Sequence, residues 1–351
     1  MKALVLTAYG KLEHLDVPEP TLGAQDVLVQ VAACGICGSD VHGMDGSTGR
    51  RVPPLIMGHE AAGTIREIGR DVIGWSEGDR VTFDSTISCG ACWHCVRGEN
   101  NLCDNRTVLG VSCDEYRRDG AYAERVSVPQ RILCRIPAAV GFPQAAMTEP
   151  LAVAVHAVRL ARPEVGESAV VVGSGMIGLL ILQVLRAAGC SPVIALDIDG
   201  AKRERARAMG AALALDPRSP GVSKQVLQGT DGRGADMAFE AVGVSASVQS
   251  AAGAVRRGGR VILVGNLSAN VDLPLQVIVT RQITVRGSCA SQGEFATCLR
   301  MIEEGRVDLD TLISARAPLE EGAAWFGRLR EPGAPLLKVI LEPGAGKGRA
   351  S

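Results

Sequence analysis

Ser168-Ala169-Val170-Val171-Val172-Gly173-Ser174-Gly175-Met176-Ile177-Gly178-Leu179-Leu180 runs from a small, β-branched apolar stretch through three glycines into an apolar helical pattern. The spacing G-x-G-x-x-G is weak by itself. Here it follows a strand, opens a helix, and leads to Val193-Ile194-Ala195-Leu196-Asp197, a second apolar run ending on a carboxylate about twenty residues on. Such a turn lets the backbone approach a pyrophosphate and aims a helix N-terminus at its charge. Gly173, Gly175, Ile177 and Gly178 are therefore cofactor-binding candidates, and Asp197 is a candidate acceptor for adenosine ribose hydroxyls. Asp197 would repel a 2′-phosphate, which favours NAD over NADP. Lys202 is placed to reach the ribose, while Arg203 and Arg205 read as a solvated helix face.

Downstream the alternation continues. A helix reaches Met209, a short strand lies near 212–215, and a strand covers 235–240. A helix to Val255 and strands at 260–265 and 283–287 follow. Strands alternating with helices predict an α/β, doubly wound parallel sheet. Ligands of such sheets bind at the carboxyl ends of strands, so Val242, Val264, Gly265 and Ser288 join the cofactor-binding candidates. A helix at 292–304, a closing strand at 336–341 and a frayed tail from Gly344 complete the reading.

Upstream, from Met1 to about Arg135, short β-rich runs such as 27–31, 63–69 and 80–83 predict an irregular, barrel-like β region with long loops. One loop, Gly35-Ile36-Cys37-Gly38-Ser39-Asp40-Val41-His42, offers a thiol, a hydroxyl, a carboxylate and an imidazole. Gly58-His59-Glu60 follows. Thiolate, imidazole and carboxylate are zinc-ligand types, and a catalytic zinc keeps about three protein ligands and an open position. Cys34 and Cys37 form C-x2-C without the strand-to-helix setting of a redox pair, so Cys34 reads as packing. Between Pro143 and Leu160 the pattern is helical and nearly all apolar. A glutamate there is costly to bury unless paired or metal-bound. Glu149 is thus either a further ligand or a helix-start acid favoured by the macrodipole.

Cys89, Cys92, Cys95 and Cys103 form C-x2-C-x2-C-x7-C. Four thiolates can enclose one tetrahedral zinc and leave no open position, which makes the expected site structural. An iron–sulfur cluster fits the x7 gap less well. His94 lies inside this loop beside better ligands. Eleven cysteines, an odd number unevenly spread with four crowded between Cys89 and Cys103, fit metal binding in a reducing cytoplasm better than disulfides. A net charge of −1 and 3% aromatic residues give no nucleic-acid or membrane footprint. The apolar run 169–185 carries three glycines, a serine and Gln183 and falls short of a spanning helix.

In this order, the GICGSDVH loop, the GHE triplet, the four-cysteine loop, the TEP segment (Thr148–Pro150) and the VVGSGMIG turn resemble the zinc-dependent medium-chain alcohol dehydrogenases. Within them the chain looks most like sorbitol and other polyol dehydrogenases, including enzymes of sugar-alcohol phosphates. The resemblance implies a GroES-like catalytic domain over residues 1–157, completed by 290–351, with an NAD-binding Rossmann domain at 158–289. It also implies a homodimer or homotetramer. Position by position, it makes Cys37, His59, Glu60 and Glu149 candidates for the catalytic zinc, and Cys89, Cys92, Cys95 and Cys103 those for the structural zinc. Asp40 would orient the zinc-bound histidine, and Ser39 would pass the alcohol proton through the cofactor ribose to His42 and water. The implied activity is hydride transfer from a secondary alcohol to NAD. Threonine- or butanediol-type and general alcohol dehydrogenases are the alternatives. The stretch 43–49 lacks the aromatic residues usual in threonine dehydrogenases. A non-catalytic dinucleotide sensor of the same fold would be expected to have lost these ligands, and an NADPH-linked reductase is disfavoured by Asp197. Arg50 and Arg51 read as solvated loop residues, or as contacts to a substrate phosphate.

Overall fold

The structure, a computed structural model, describes residues 1–331 and 333–344. Beyond Gly344, the tail expected to fray lies outside the described residues. Two compact units form: one from Met1–Glu149 and Phe295–Ser351, the other from Pro150–Glu294. The divisions fall at Glu149/Pro150 and Glu294/Phe295, against the expected 157/158 and 289/290. The first lies within the Thr148–Ala161 helix, after its opening residues.

Pro150–Glu294 carries the parallel sheet. Its six strands lie in the order Leu213–Leu215, Val193–Leu196, Ala169–Val172, Ala235–Glu240, Val255–Leu263 and Thr284–Gly287, every pairing parallel. Numbered along the chain this is 3-2-1-4-5-6, and the order reverses beside Ala169–Val172, where a doubly wound sheet opens its crevice. Ala169–Val172 and Val193–Leu196 are buried throughout because helices cover both faces, which is why they read as continuous apolar runs. The fifth strand begins at Val255 rather than 260, since Gly258 and Gly259 disguised its first half. The short helices Val222–Gln228 and Leu275–Thr280 escaped the sequence reading.

The other unit is β-rich. A seven-stranded sheet has the order Leu133–Arg135, Arg80–Phe83, Glu60–Ile68, Asp26–Gly35, Lys338–Glu342 and Ile313–Pro318, with Arg125–Pro129 also pairing to Asp26–Gly35. Ile340 and Leu341 thus lie opposite Gly35 and Cys34, so the two ends of the chain share one sheet. A separate three-stranded sheet joins Lys11–Asp16, Lys2–Ala8 and Leu55–Ile56. Tyr122, Phe83 and Phe326 are among the large side chains filling the core. The apolar segment 143–160 is two helices, Phe142–Ala146 and Thr148–Ala161. Pro150, lacking an N–H, is tolerated in a first turn, so the second helix restarts just before it and Glu149 becomes its second residue.

Glycines test the Rossmann turn directly. A Cβ on Gly178 would stand 1.8 Å from the Gly173 carbonyl oxygen, a backbone atom that cannot step aside. Gly253, exposed within the Ser245–Ala254 helix, would meet nothing within 4 Å. Gly178→Ala should therefore lower the thermal unfolding midpoint, by more than about 2 kcal/mol of stability. Gly253→Ala should raise it, by about 0.5–1 kcal/mol from helix propensity. Melting curves of the two variants beside the parent check both signs.

Candidate metal and dinucleotide sites

The Asp26–Gly35 strand delivers the chain to Cys37, which precedes a short helix, Gly38–Gly43. The Glu60–Ile68 strand begins beside it, with Glu60 directly opposite Gly35. This register brings one donor atom each of Cys37, His59 and Glu60 within 4.8 Å of one another. His59 and Glu60 are buried and Cys37 is half-buried. Glu149 stands outside that trio but near enough for its charge to act on it.

The surroundings are charged and closed. Asp40 is fully buried, with its Oδ2 3.5 Å from His59 Nδ1 and accepting from the Tyr122 hydroxyl at 2.8 Å. His59 Nδ1 is itself buried and makes no hydrogen bond, with Asp40 Oδ2 facing it at 3.5 Å. Asp40 Oδ1 accepts from Arg51 Nε at 2.8 Å and lies 2.6 Å from Arg51 Nη2. Burial alone would raise the Asp40 carboxyl, but Arg51, His59 and the Tyr122 hydroxyl hold it below the usual carboxylate range. Lys338, only 2% exposed, donates to both Glu60 oxygens at 2.8 and 2.6 Å and to the Ile36 carbonyl at 3.0 Å. Burial pushes the Lys338 ammonium down, yet the Glu60 carboxylate outweighs it and the net shift is upward.

Cys37 and Glu149 have no such cation of their own. Burial, then the Glu60 charge, pushes the Cys37 thiol up to about 12. Desolvation likewise pushes Glu149 up to about 8. A thiol, an imidazole and two carboxyls, two of these groups held back from ionising, form a donor set that suits a divalent cation, whose charge would reverse both shifts. The residues fit a zinc of the open, mixed-ligand kind.

Ser39 Oγ donates to Cys37 Sγ at 3.2 Å and accepts from Arg51 Nη2 at 3.3 Å. His42 is exposed on the same helix, and among the described residues no hydrogen bond joins it to Ser39. Arg51, expected in solvent, is 5% exposed and ion-paired, because Asp40 is a buried carboxylate that needs a cation. Arg50 beside it is exposed. Arg51, Tyr122 and Lys338 were missed as site residues. Lys338 alone left a mark in the sequence, a single ammonium inside the apolar run 336–341.

Cys89, Cys92, Cys95 and Cys103 also bring one sulfur each within 4.8 Å of the others. Cys92 and Cys95 sulfurs are 3.5 Å apart and Cys89 and Cys95 sulfurs 3.9 Å. Both bracket the roughly 3.8 Å edge of a tetrahedron with Zn–S bonds of about 2.3 Å. The amides of Ala91 and Cys92 donate to Cys89 Sγ and pull that thiol down to about 6. Between Cys89 and Cys103 only Asn101 and Cys103 are buried. The lobe has no apolar core to hold it, and no disulfide forms there. His94 pairs with Glu99 at 2.9 Å, leaving the sulfurs to themselves.

In the other unit, Gly173 has φ +95°, and its Cβ would meet a Val242 methyl at 2.5 Å. Gly175 faces open space at the start of the Met176–Ala187 helix, whose first turn carries Ile177, so backbone amides lie bare where a phosphate would approach. Asp197 accepts from Ser174 N at 2.7 Å and Asp199 N at 2.8 Å, which ties the glycine turn to the end of the second strand. Each oxygen keeps a lone pair for a ribose hydroxyl. Lys202 lies in the first turn of the helix that Asp199 caps. Arg203 donates to the Asp197 carbonyl and pairs with Asp216, which also binds Arg218. Val242, Val264, Gly265 and Ser288 all follow strand ends at the carboxyl edge, where Glu240 Oε1 accepts from the amides of Val242 and Gly243. These residues fit a dinucleotide.

Two family descriptions match the chain: the alcohol dehydrogenase GroES-like domain over residues 23–138 and the zinc-binding dehydrogenase over residues 177–304. A sorbitol dehydrogenase of Halalkalibacterium halodurans is 34% identical over 350 residues, covering 98% of this chain and 99% of its own. An L-threonine 3-dehydrogenase of Pyrococcus abyssi is 35% identical over 314 residues, 88% of each chain. Among solved structures, a zinc-binding dehydrogenase of Sinorhizobium meliloti 1021 bound to NADP superposes with a TM-score of 0.90 at 32% identity, covering 97% of this chain and 99% of that one. With a GroES-like β unit, an all-parallel six-stranded sheet and both sets of zinc-type donors on one chain, this protein belongs to the zinc-dependent medium-chain alcohol dehydrogenases.

Proposed function

We propose that the chain oxidises a secondary alcohol of the polyol or sugar-alcohol class, with NAD as hydride acceptor. The observation that carries this reading is the Cys37–His59–Glu60 trio, with its histidine and glutamate buried and its thiol half-buried, a mixed donor set with Ser39 at its edge. Zinc held by Cys37, His59 and one of the carboxylates Glu60 and Glu149 would supply Lewis acidity toward the alcohol oxygen, and NAD would take the hydride. A second zinc on Cys89, Cys92, Cys95 and Cys103 would hold the outer loop.

The chain's own residues do the remainder. Asp40 steadies the His59 ring through its Nδ1 side, leaving the other nitrogen for the metal. Lys338 keeps Glu60 turned and charge-balanced. Ser39 Oγ takes the alcohol proton as its own hydrogen passes to solvent on its exposed side, and His42, exposed on the same helix, stands as the outer acceptor. Gly175 and the helix N-terminus take the pyrophosphate, Asp197 and Lys202 the adenosine ribose, and Val242, Val264, Gly265 and Ser288 the remainder of the cofactor. The preference for NAD rests on the Asp197 carboxylate, held at the end of the second strand by the Ser174 and Asp199 amides.

The polyol class is favoured by the full-length match to the sorbitol enzyme and by a glutamate at 149. Burial of Arg51 removes one of the two arginines that could have met a substrate phosphate. We further infer a cytoplasmic homo-oligomer. No helix among the described residues is long and apolar enough to cross a membrane, and no disulfide forms among the described residues. The edge strand Thr284–Gly287 is open to a second copy, with Leu273, Leu275 and Val279 exposed just before it.

A screen of NAD and NADP reduction over free polyols, their phosphates, simple secondary alcohols and L-threonine tests the substrate and cofactor. The expected outcome is highest kcat/KM for a free polyol with NAD; turnover confined to L-threonine, or to NADP, would overturn that assignment. Elemental analysis should find two zinc ions per chain, and Cys92→Ser should lose one of them while the other resists dialysis. Ser39→Ala should cut turnover by about a hundredfold or more, the scale of a lost proton-transfer group, with zinc content intact. Undiminished turnover in Ser39→Ala removes the relay from the mechanism.

A further inference from the structure

Arg51 reaches Ser39 and Asp40 with one guanidinium. Its Nε and Nη2 close on Asp40 Oδ1 at 2.8 and 2.6 Å, its Nη1 donates to the Arg50 carbonyl at 2.9 Å, and its Nη2 also reaches Ser39 Oγ at 3.3 Å. The side chain is 5% exposed, so these contacts, rather than water, satisfy it. Ser39, in contrast, is exposed on the first turn of a six-residue helix and has little packing to fix its rotamer.

From this arrangement we propose that Arg51 is a positioning residue for proton transfer, setting the direction in which the Ser39 hydroxyl donates. This rests on the Ser39 relay proposed above. A guanidinium has five donors and no acceptor, so Ser39 Oγ can only accept from it. The serine hydrogen is thereby turned away from Arg51, toward the Cys37 side of the loop where its Oγ already donates to Sγ at 3.2 Å. The second lone pair of Oγ stays free for the alcohol proton, taken up as its own hydrogen is passed on to solvent, so the serine is neutral before and after the step. Asp40 in turn fixes the guanidinium plane, so the carboxylate facing His59 and the hydroxyl beside Cys37 are aligned by one rigid fork. A lysine could balance Asp40 but, as a point charge on a flexible stem, would not hold both partners.

The test uses the zinc-loaded full chain and the variants Arg51→Lys, Ser39→Ala and the double variant. Four quantities are measured: kcat and KM for the best alcohol, solvent deuterium isotope effect, zinc content, and rate of zinc loss to a chelator. Arg51→Lys should lower kcat about tenfold with KM within about twofold, and raise the solvent isotope effect, because hydroxyl alignment then limits proton transfer. Its zinc content and zinc-loss rate should match the parent. Once Ser39 is Ala, adding Arg51→Lys should change kcat by less than about twofold, the signature of two groups acting as one. Undiminished kcat in Arg51→Lys, an equal loss in the Ser39→Ala background, or accelerated zinc loss overturns the proposal, the last two by reducing Arg51 to a loop prop. If Ser39→Ala alone keeps full turnover, the relay itself fails and this inference goes with it. If Ser39→Ala is impaired and Arg51→Lys is not, the relay stands and only the role of Arg51 is lost.

Discussion

Two buried ion pairs, Asp40 with Arg51 and Glu60 with Lys338, set the terms for the metal site. All four residues are at most 5% exposed. Burying such pairs is a poor route to stability, because desolvation cancels most of the attraction, and removing one partner typically costs about 3–5 kcal/mol. Their placement makes sense as scaffolding for charge. Glu60 follows His59 directly, and Asp40 lies three residues beyond Cys37. Without a cation apiece, these carboxylates would crowd the donors with uncompensated negative charge.

The position of Lys338 also accounts for the path of the chain. Its ammonium must reach Glu60 and the Ile36 carbonyl, which fixes the Lys338–Glu342 strand beside Asp26–Gly35. The chain therefore leaves the β-rich unit after Glu149, builds a complete parallel-sheet unit, and returns from Phe295 to close the first sheet. The cysteine lobe follows a different logic. With only two buried residues from Cys89 to Cys103, it has four sulfurs and their amide donors in place of a core. One site has mixed donors set in buried charge. The other has thiolates alone, set near solvent.

How much of this could be read from the sequence depended on how local the signal was. The glycine turn, most of the alternating strands and helices, and the four-cysteine loop are short-range patterns and were legible, whereas the first half of the Val255–Leu263 strand and two short helices were not. Arg51 was misread because its partner, Asp40, is hidden only after the loop folds back and Tyr122 closes over it from the Ala121–Ala123 segment. Lys338 meets Glu60 across 278 residues, beyond any periodicity argument. The restart of the helix at Thr148 was legible in Pro150 but was masked by an unbroken apolar run. Strand Ile313–Pro318 and helix Gly322–Arg330 each have an inner face, but small residues such as Ala315, Ala317 and Gly322 hold much of it, so the hydrophobic signal was weak and both were passed over.

Charge and distance treat the two carboxylates near the metal donors differently. Glu60 lies within the 4.8 Å trio, so distance alone favours it. Yet both its oxygens already accept from Lys338, and a metal would have to draw it away from a buried ammonium. Glu149 has no dedicated cation, and burial raises its carboxyl to about 8, so a nearby dication stabilises its charged form most. Asp40 with Arg51 and Glu60 with Lys338 each sum to zero. A Cys37 thiolate and a Glu149 carboxylate then supply two negative charges against the two positive charges of zinc. Charge thus matches Cys37 and Glu149 to a dication, while distance groups Cys37 and His59 with Glu60.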